Sequence, residues 1–183
     1  YAIAKHDFRG KKLMFNFIML TLMVPAQLGL VGFFMEMSRL HWINTLWPLI
    51  VPPAASAFGA FWMIQYTRSA IPMEVLDSGR IDGCGEVRLF TGIALPFMKP
   101  ACLTLALMSF LWSWNNLLMP TIILSNNDLF PITLGIKELA NIFFTDIGAQ
   151  VLGLSLTSIP ILILFVIFSK NLIDGLAVGA VKG

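Results

Sequence analysis

The chain has 183 residues, of which 57% are hydrophobic and only 12% are charged. Its mean hydropathy of +0.82 is too high for a soluble domain of this length, so we place the chain in a membrane. The net charge of +2 is too small to indicate a nucleic-acid partner.

Four stretches are long and apolar enough to cross a bilayer, since a spanning helix needs about 20 apolar residues. Ten of the 12 lysines and arginines fall on one side of these stretches. The positive-inside rule therefore places the N-terminal segment, the loop 69–99 and the C-terminus in the cytoplasm. We expect an all-α, polytopic helical bundle in a single domain over residues 1–183. The predicted spans are about 13–35, 46–67, 100–124 and 149–169.

The first two predicted spans contain residues that bend helices or let them approach closely. Pro25, Gly29 and Gly32 lie in the first span and favour a kinked helix beside a solute pathway. Packing positions with a proline kink and no solute contact are the alternative. The second span is rich in small residues over 54–60, which suit tight helix–helix packing.

The loop 69–99 opens with the signals of a short helix. Pro72 suits the first turn of a helix, and Glu74 and Asp77 place negative charge near its positive end. Gly83 follows Asp82 and accepts the left-handed conformation that ends a helix. The sequence therefore predicts a helix from about Pro72 to Asp82.

A second short segment follows, with Leu89 and Ile93 at helical spacing. Pro96 and Pro100 then separate this segment from the third span, with Pro96 redirecting the chain into the membrane. The loop is thus predicted as a helix, a turn and a helix outside the membrane, tethered to a span at each end. Such an element can transmit force.

Small and acidic residues recur in this loop at a defined spacing. Asp77-Ser78-Gly79 is followed after three residues by Gly83, and after nine more by Ile93-Ala94-Leu95-Pro96. This spacing resembles the EAA loop of permease subunits of ABC-type importers, with Asp77 in place of the usual glutamate and Ser78 and Gly79 in place of two alanines. The flanking Ile71-Pro72-Met73-Glu74 and Arg80-Ile81-Asp82-Gly83 resemble the carbohydrate-importer branch, the MalG-like permeases.

The resemblance implies a type I ABC importer permease fold and a set of partners. These are ATP-binding cassette ATPase subunits, a second permease subunit, an extracytoplasmic solute-binding protein and membrane lipid. Because ATP is bound by the ATPase subunits, the chain itself is expected to be no enzyme and to need no cofactor or metal. The chain has no phosphate-binding Gly-x-x-x-x-Gly-Lys-Ser/Thr motif, in keeping with this.

The resemblance also implies a location and a role for single residues. We expect a multi-pass protein of the bacterial cytoplasmic membrane, the C-terminal part of a longer protein whose N-terminal helices precede Tyr1, importing a sugar or oligosaccharide. The residues implied to couple to the ATPase subunit are Glu74, Asp77, Ser78, Gly79, Asp82, Gly83 and Pro96.

A polar and aromatic segment ends the third span. Ser113, Trp114, Asn115 and Asn116 are the candidate pathway residues, because polar side chains at membrane depth face protein or a water-lined cavity. Aromatic faces and amides are also what a carbohydrate pocket needs. An interfacial belt with interhelical hydrogen bonds is the alternative interpretation.

A short amphipathic helix is predicted on the external side by the apolar stripe Ile136, Leu139, Ala140 and Phe143. This stripe can pack on its own membrane domain. The resemblance implies a second use for the external segment, which faces the solute-binding protein.

Two alternative functions stay open. No Asp, Glu, Lys or Arg lies inside a predicted span, whereas proton- or sodium-coupled carriers usually place such charged groups at membrane depth. A secondary transporter is therefore the less favoured hypothesis. An ABC permease for a non-sugar solute is the nearer alternative.

Overall fold

The described part of the chain is helical. The structure is a computed structural model that describes residues 1–139 and 146–180, the last twelve as helical backbone. No strand occurs in these ranges, and the all-α prediction is confirmed. The helices are α1 (Ala2–Lys5), α2 (Lys11–Met23), α3 (Leu30–Arg39), α4 (Trp47–Ala54), α5 (Ala57–Ala70), α6 (Met73–Ile81), α7 (Glu86–Arg88), α8 (Leu95–Trp114), α9 (Leu118–Ile123), α10 (Ile132–Glu138) and α11 (Ile147–Ala180).

Three described helical stretches are long and apolar enough to cross a membrane, as judged by length and composition. They are Trp47–Ala70, Glu86–Trp114 and Ile147–Phe168. A fourth stretch joins α2 to Ala26–Arg39, but the two parts are bent by 89°. This pair has the form of either one broken span or a re-entrant loop.

Pro25 explains the break in this pair. Proline has no N–H to donate, and it disfavours helical geometry in the residue before it. Val24 is accordingly extended, with φ −85° and ψ 120°. The sequence predicts a kink within a span over 13–35, whereas the structure has two helices at a steep angle.

Pro96 and Pro100 do not interrupt the helix that contains them. Helix α7 continues through a π-helical segment, Leu89–Ala94, into α8 without a break. The predicted separation of the second loop segment from the third span is therefore wrong. The wider π turn lies directly before Pro96, and such bulges absorb local disruptions of helical hydrogen bonding.

The chain divides into two compact units. The first unit contains Tyr1–Val24, Ser56–Leu107 and the chain from Lys170, and the second contains Pro25–Ala55 and Met108–Ser169.

In the first unit, α5 is the central element. The Ser56 hydroxyl caps its start by accepting from the Gly59 N–H at 3.0 Å. Gly59 is buried, and an added Cβ would lie 3.4 Å from Leu105, so the small residue permits the close packing expected of this stretch. At the other end of α5, the Lys5 ammonium donates to the carbonyl oxygens of Arg68 and Ile71.

In the second unit, a buried cluster of Met37, Ile123 and Leu124 forms the core. Asn44 holds the chain that follows this core. Its backbone N–H donates to the Ile123 carbonyl at 2.9 Å, and its side-chain oxygen accepts from the N–H groups of Ser125 and Asn126 at 3.0 and 2.9 Å. Asn44 adopts a φ of 60°, which asparagine tolerates better than most residues.

The predicted external helix differs from α10. Helix α10 buries Leu134, while Leu139 lies after its end and is exposed. The helix begins at Ile132, four residues before the first stripe residue, Ile136, and ends at Glu138. The predicted stripe is therefore wrong at Leu139, because Leu139 is the residue after the helix. Ala140 and Phe143 lie outside the described residues.

The last helix is longer than the predicted span 149–169. Helix α11 contains 34 residues and continues through Pro160 to Ala180.

Candidate coupling loop and candidate solute cavity

Buried apolar residues anchor α6 within the first unit. Ile71 and Leu76 are fully buried and form one cluster with Ala94 and Met98. Pro72 is the residue before the helix, and Glu74 lies exposed in its first turn, near the positive end. The predicted start of the helix is correct to within one residue.

Gly83 ends α6 in the predicted manner. Its φ is +79°, and its N–H donates to the Arg80 carbonyl at 3.0 Å. The Cys84 N–H donates to the Gly79 carbonyl at 2.9 Å, which completes a Schellman motif with Asp82 as the C-cap residue. Both bonds satisfy carbonyls that the helix end would otherwise leave without partners.

Gly79 brings α6 into contact with the π-helical segment. The residue is buried, and an added Cβ would lie 2.6 Å from Leu89 Cδ2 and 2.9 Å from Ile93 Cδ1. Its neighbour Ser78 is exposed and donates its hydroxyl to the Glu74 carbonyl at 2.8 Å. The two small residues in place of alanines therefore differ in role, since Gly79 lies against the side chains of Leu89 and Ile93 whereas Ser78 is exposed.

Arg80 links α6 to α7. Its guanidinium donates to Asp77 Oδ1 at 2.7 Å and to Glu86 Oε1 at 3.1 Å. Both hydrogen bonds raise the pKa of Arg80, and the bond to Glu86 has the larger effect. Glu86 also lies 3.4 Å from His6 Nε2. The sequence predicted Asp77 near the positive end of the helix, and the structure pairs its carboxylate with Arg80 of the same helix.

Two apolar side chains beside the glycine turn are exposed to solvent. Ile81 is 86% exposed and Val87 is 79% exposed. None of Ile81, Val87 and Arg80 was predicted from the sequence as a coupling residue. An isoleucine and a valine in a short charged segment could have indicated the first two, because exposed apolar side chains often mark a contact surface. Pro96 lies exposed in α8 and is not part of this turn.

A cavity of about 370 Å³ lies within the second unit, beside the end of α8. It brings together Ser113, Trp114 and Asn116, three of the four predicted pathway residues. Asn115 is not among the residues that line it. The remaining lining residues carry no charge and are Leu49, Phe110, Pro120, Pro131 and Ile132.

Hydrogen bonds hold most of the polar groups at this cavity. The Trp114 indole N–H donates to the Thr157 carbonyl at 3.2 Å, and its ring stacks on Phe110 at 5.3 Å between centroids. Asn116 Oδ1 accepts from the Met119 N–H at 3.3 Å, in the first turn of α9. Among the described residues, the Ser113 hydroxyl has no hydrogen-bond partner.

Asn115 directly follows α8 and bonds its side chain back to that helix. Its amide Nδ2 donates to the Leu111 carbonyl at 2.8 Å, and the residue is exposed. Sequence reasoning missed Phe110, whose position three and four residues before Ser113 and Trp114 places all three on one helical face. The contributions of Leu49, Pro131 and Ile132 come from distant parts of the sequence and left no local signal.

Comparison with known proteins identifies the family of this chain. Residues 1–177 match the family described as binding-protein-dependent transport system inner membrane component. The chain belongs to this family.

Relatives of this chain include transport permeases from several bacteria. The arabinooligosaccharides transport system permease protein AraQ of Halalkalibacterium halodurans is 36% identical over 183 residues, covering 100% of this chain and 65% of AraQ. The lactose transport system permease protein LacG of Rhizobium radiobacter is 33% identical, covering 96% of this chain and 64% of LacG. The diacetylchitobiose uptake system permease protein NgcG of Streptomyces coelicolor is 27% identical, covering 100% of this chain and 61% of NgcG.

A solved structure shares the fold. It is the crystal structure of a bacterial ABC transporter involved in the import of the acidic polysaccharide alginate. The TM-score is 0.80 at 23% identity, covering 93% of this chain and 65% of that chain. The family assignment and the ABC permease fold therefore agree with the resemblance found in the loop. This chain spans 65% of the length of AraQ.

Proposed function

We propose that this chain is part of a permease subunit of an ATP-driven importer that moves a sugar or an oligosaccharide across the bacterial cytoplasmic membrane. The family is one of inner-membrane transport components. AraQ, LacG and NgcG are named for arabinooligosaccharides, lactose and diacetylchitobiose, which are all carbohydrates. The observation that carries the proposal is the closed loop of α6, since it presents a short helix that is fastened to a candidate membrane span.

The loop provides a route for mechanical coupling. Exposed Ile81 and Val87 supply an apolar surface for an ATPase subunit, which binds and hydrolyses the ATP. A displacement of α6 reaches the π-helical segment through the contacts of Gly79 and reaches α7 through Arg80. Because α7 begins the continuous helical stretch Glu86–Trp114, a candidate membrane span, motion of the loop is passed into the membrane.

The cavity of the second unit supplies a place for the solute. The stacked rings of Phe110 and Trp114 offer apolar faces for the C–H surface of a sugar ring. The Ser113 hydroxyl and the Asn116 amide supply polar groups. The absence of charged side chains from the lining residues favours a neutral solute over an ionic one.

Further partners cover the outward faces of the spans. Leu152, Leu162 and Phe165 of α11 are exposed, and this apolar surface supports contact with lipid or with a second permease subunit. An extracytoplasmic solute-binding protein delivers the sugar on the external side, and the C-terminus lies in the cytoplasm.

Copurification and uptake test this proposal. The full-length subunit, expressed with its second permease and candidate ATPase subunits, is expected to purify with an ATP-binding protein. Proteoliposomes supplied with the candidate solute-binding protein should then take up arabinooligosaccharide, lactose or diacetylchitobiose with ATP, and a hydrolysis-deficient ATPase variant should abolish this uptake. Uptake that persists with the inactive ATPase and follows a proton or sodium gradient would instead identify a secondary transporter. ATP-driven uptake of an amino acid but of none of the sugars would overturn the substrate class.

Crosslinking tests the contact with the ATPase. A bifunctional thiol reagent at Cys84, in a Cys102→Ser background, should join the subunit to the ATPase. A matched single cysteine at Ser125, in a chain without Cys84 and on the predicted external side, should not. Crosslinks of equal yield from both positions would contradict the proposed orientation of the loop.

A further inference from the structure

A second cavity lies in the first unit, where the start of α2 meets the last turn of α5. Its volume is about 620 Å³. Three of its lining residues are cationic, Lys11, Lys12 and Arg68, and one is acidic, Asp7. Three positive charges and one negative charge leave two in excess. The cavity is therefore suited to an anion.

The acidic residue, Asp7, forms an ion pair with one of the cations. Lys11 Nζ lies 2.8 Å from Asp7 Oδ1, and this hydrogen bond lowers the pKa of Asp7. Within the described part of the chain, neither Lys12 nor Arg68 is paired with a carboxylate. Two cations thus remain available at the cavity.

The Arg68 guanidinium is held in a defined orientation. It lies over the Phe15 ring at 4.7 Å from the centroid, and one N–H group donates to Gln65 Oε1 at 3.3 Å. A guanidinium has five N–H donors in a rigid fork, which matches the geometry of a phosphate. The first turn of α2 adds backbone N–H groups at its positive end, where no side chain caps the helix.

An exposed apolar stripe runs along α2 from this cavity. Leu13 and Phe17 are 75% and 71% exposed, and Leu20, which is 61% exposed, continues the same face. The spacing i, i+4 and i+7 is that of one side of a helix. A basic cavity followed by an apolar track matches the two parts of a phospholipid, whereas a free phosphate would use only the first.

We propose that this cavity binds the phosphodiester headgroup of an anionic phospholipid, with its acyl chains lying along the exposed stripe of α2. The positive-inside rule places the cavity at the cytoplasmic interface, where anionic lipids attract basic side chains. Lys12 and Arg68 contact the phosphate, and Lys11 joins them when Asp7 releases it. The inference depends on the membrane assignment and not on the transported solute.

Lipid titration of the intact complex tests the proposal. Native mass spectrometry of the delipidated full-length complex should show tighter binding of phosphatidylglycerol than of phosphatidylcholine. The double variant Lys12→Gln/Arg68→Gln should weaken phosphatidylglycerol binding about 30-fold, as expected for the loss of two surface cations. The matched variant Arg88→Gln/Lys99→Gln removes the same charge on the same predicted side outside the cavity and should leave the tightest site unchanged.

Two further variants keep the test decisive if the double variant fails to assemble. Asp7→Asn frees Lys11 and should tighten phosphatidylglycerol binding. Arg68→Lys keeps the charge but removes the fork, so its binding should fall between those of the wild type and the double variant. Equal phosphatidylglycerol affinity in all variants would overturn the site. Displacement of the lipid by a modest excess of inorganic phosphate would assign the cavity to free phosphate instead.

Discussion

The loop around α6 and the cavity beside Trp114 use polar groups in different ways. In the loop, Arg80 joins two helices through Asp77 and Glu86, while the helix end is closed by backbone bonds around Gly83. The loop therefore pairs Arg80 with carboxylates of its own and leaves Ile81 and Val87 exposed, as a surface for another protein requires.

The cavity differs from the loop in its aromatic wall and in one polar group. Stacked aromatic rings form its wall, and the Ser113 hydroxyl makes no hydrogen bond to any described residue. An unbonded hydroxyl beside aromatic faces suits a small polar solute better than a protein surface. The comparison thus distinguishes the proposed protein-docking site from the proposed solute site, and substitutions at single residues test the distinction.

Gly83→Leu should have the largest effect on uptake. A left-handed conformation costs an L-residue about 1–2 kcal/mol, so the closed turn should lose roughly 5- to 30-fold in population. We expect ATP-driven uptake to fall by a similar factor while membrane insertion is unchanged. Gly85→Leu is the matched control, because its φ is −70° and an added Cβ meets nothing within 4 Å at either glycine. Normal uptake by the Gly83 variant would remove the coupling role of this turn.

Gly79→Val should come next and act on stability. Its side chain would overlap Leu89 and Ile93, and overpacking typically costs about 1–3 kcal/mol. Thermal unfolding of the purified complex should show a lower Tm. Leu89→Ala opens the same space, so the double variant should lose less than the sum of the single losses. Strict additivity would show that the contact between α6 and the π-helical segment does not carry the effect.

Ser113→Ala should have a smaller effect on uptake. Loss of one hydrogen bond to the solute corresponds to about 0.5–1.5 kcal/mol, or roughly a two- to tenfold rise in KM. Asn115→Leu is the comparison, since Asn115 lies outside the lining of the cavity and bonds to Leu111. A larger KM change for Asn115→Leu than for Ser113→Ala would assign the pathway to the other face of the helix.

Arg80→Gln should have the smallest effect. Ion pairs on a surface contribute little and are screened by salt. We expect a slight loss of uptake at low ionic strength that disappears at high salt. Arg88→Gln is the matched control, because Arg88 has no carboxylate partner in the ranges that the structure covers. A large, salt-independent loss for Arg80→Gln would show that the bridge is itself part of the docking surface.

Local chemistry allowed much of the loop to be predicted. Apolar runs of spanning length indicate a membrane helix in any fold, and a glycine after a short helix indicates its end because few other residues adopt a positive φ. Helix α6 and Gly83 follow from such nearest-neighbour rules. Three of the four candidate residues at the end of the third span line one cavity, and they could be named because amides and indoles at membrane depth are unusual whatever surrounds them.

Contacts between distant residues decided the rest. The continuity of the helix through Pro96, the pairing of Arg80 with Glu86 and the role of Gly79 each depend on a neighbouring segment. Leu49 and Ile132 reach the cavity from far along the chain, and Asn116 lines it whereas Asn115 bonds back to Leu111. A residue carries its own backbone preference into any context, but the partner of its side chain is set only when the chain has packed.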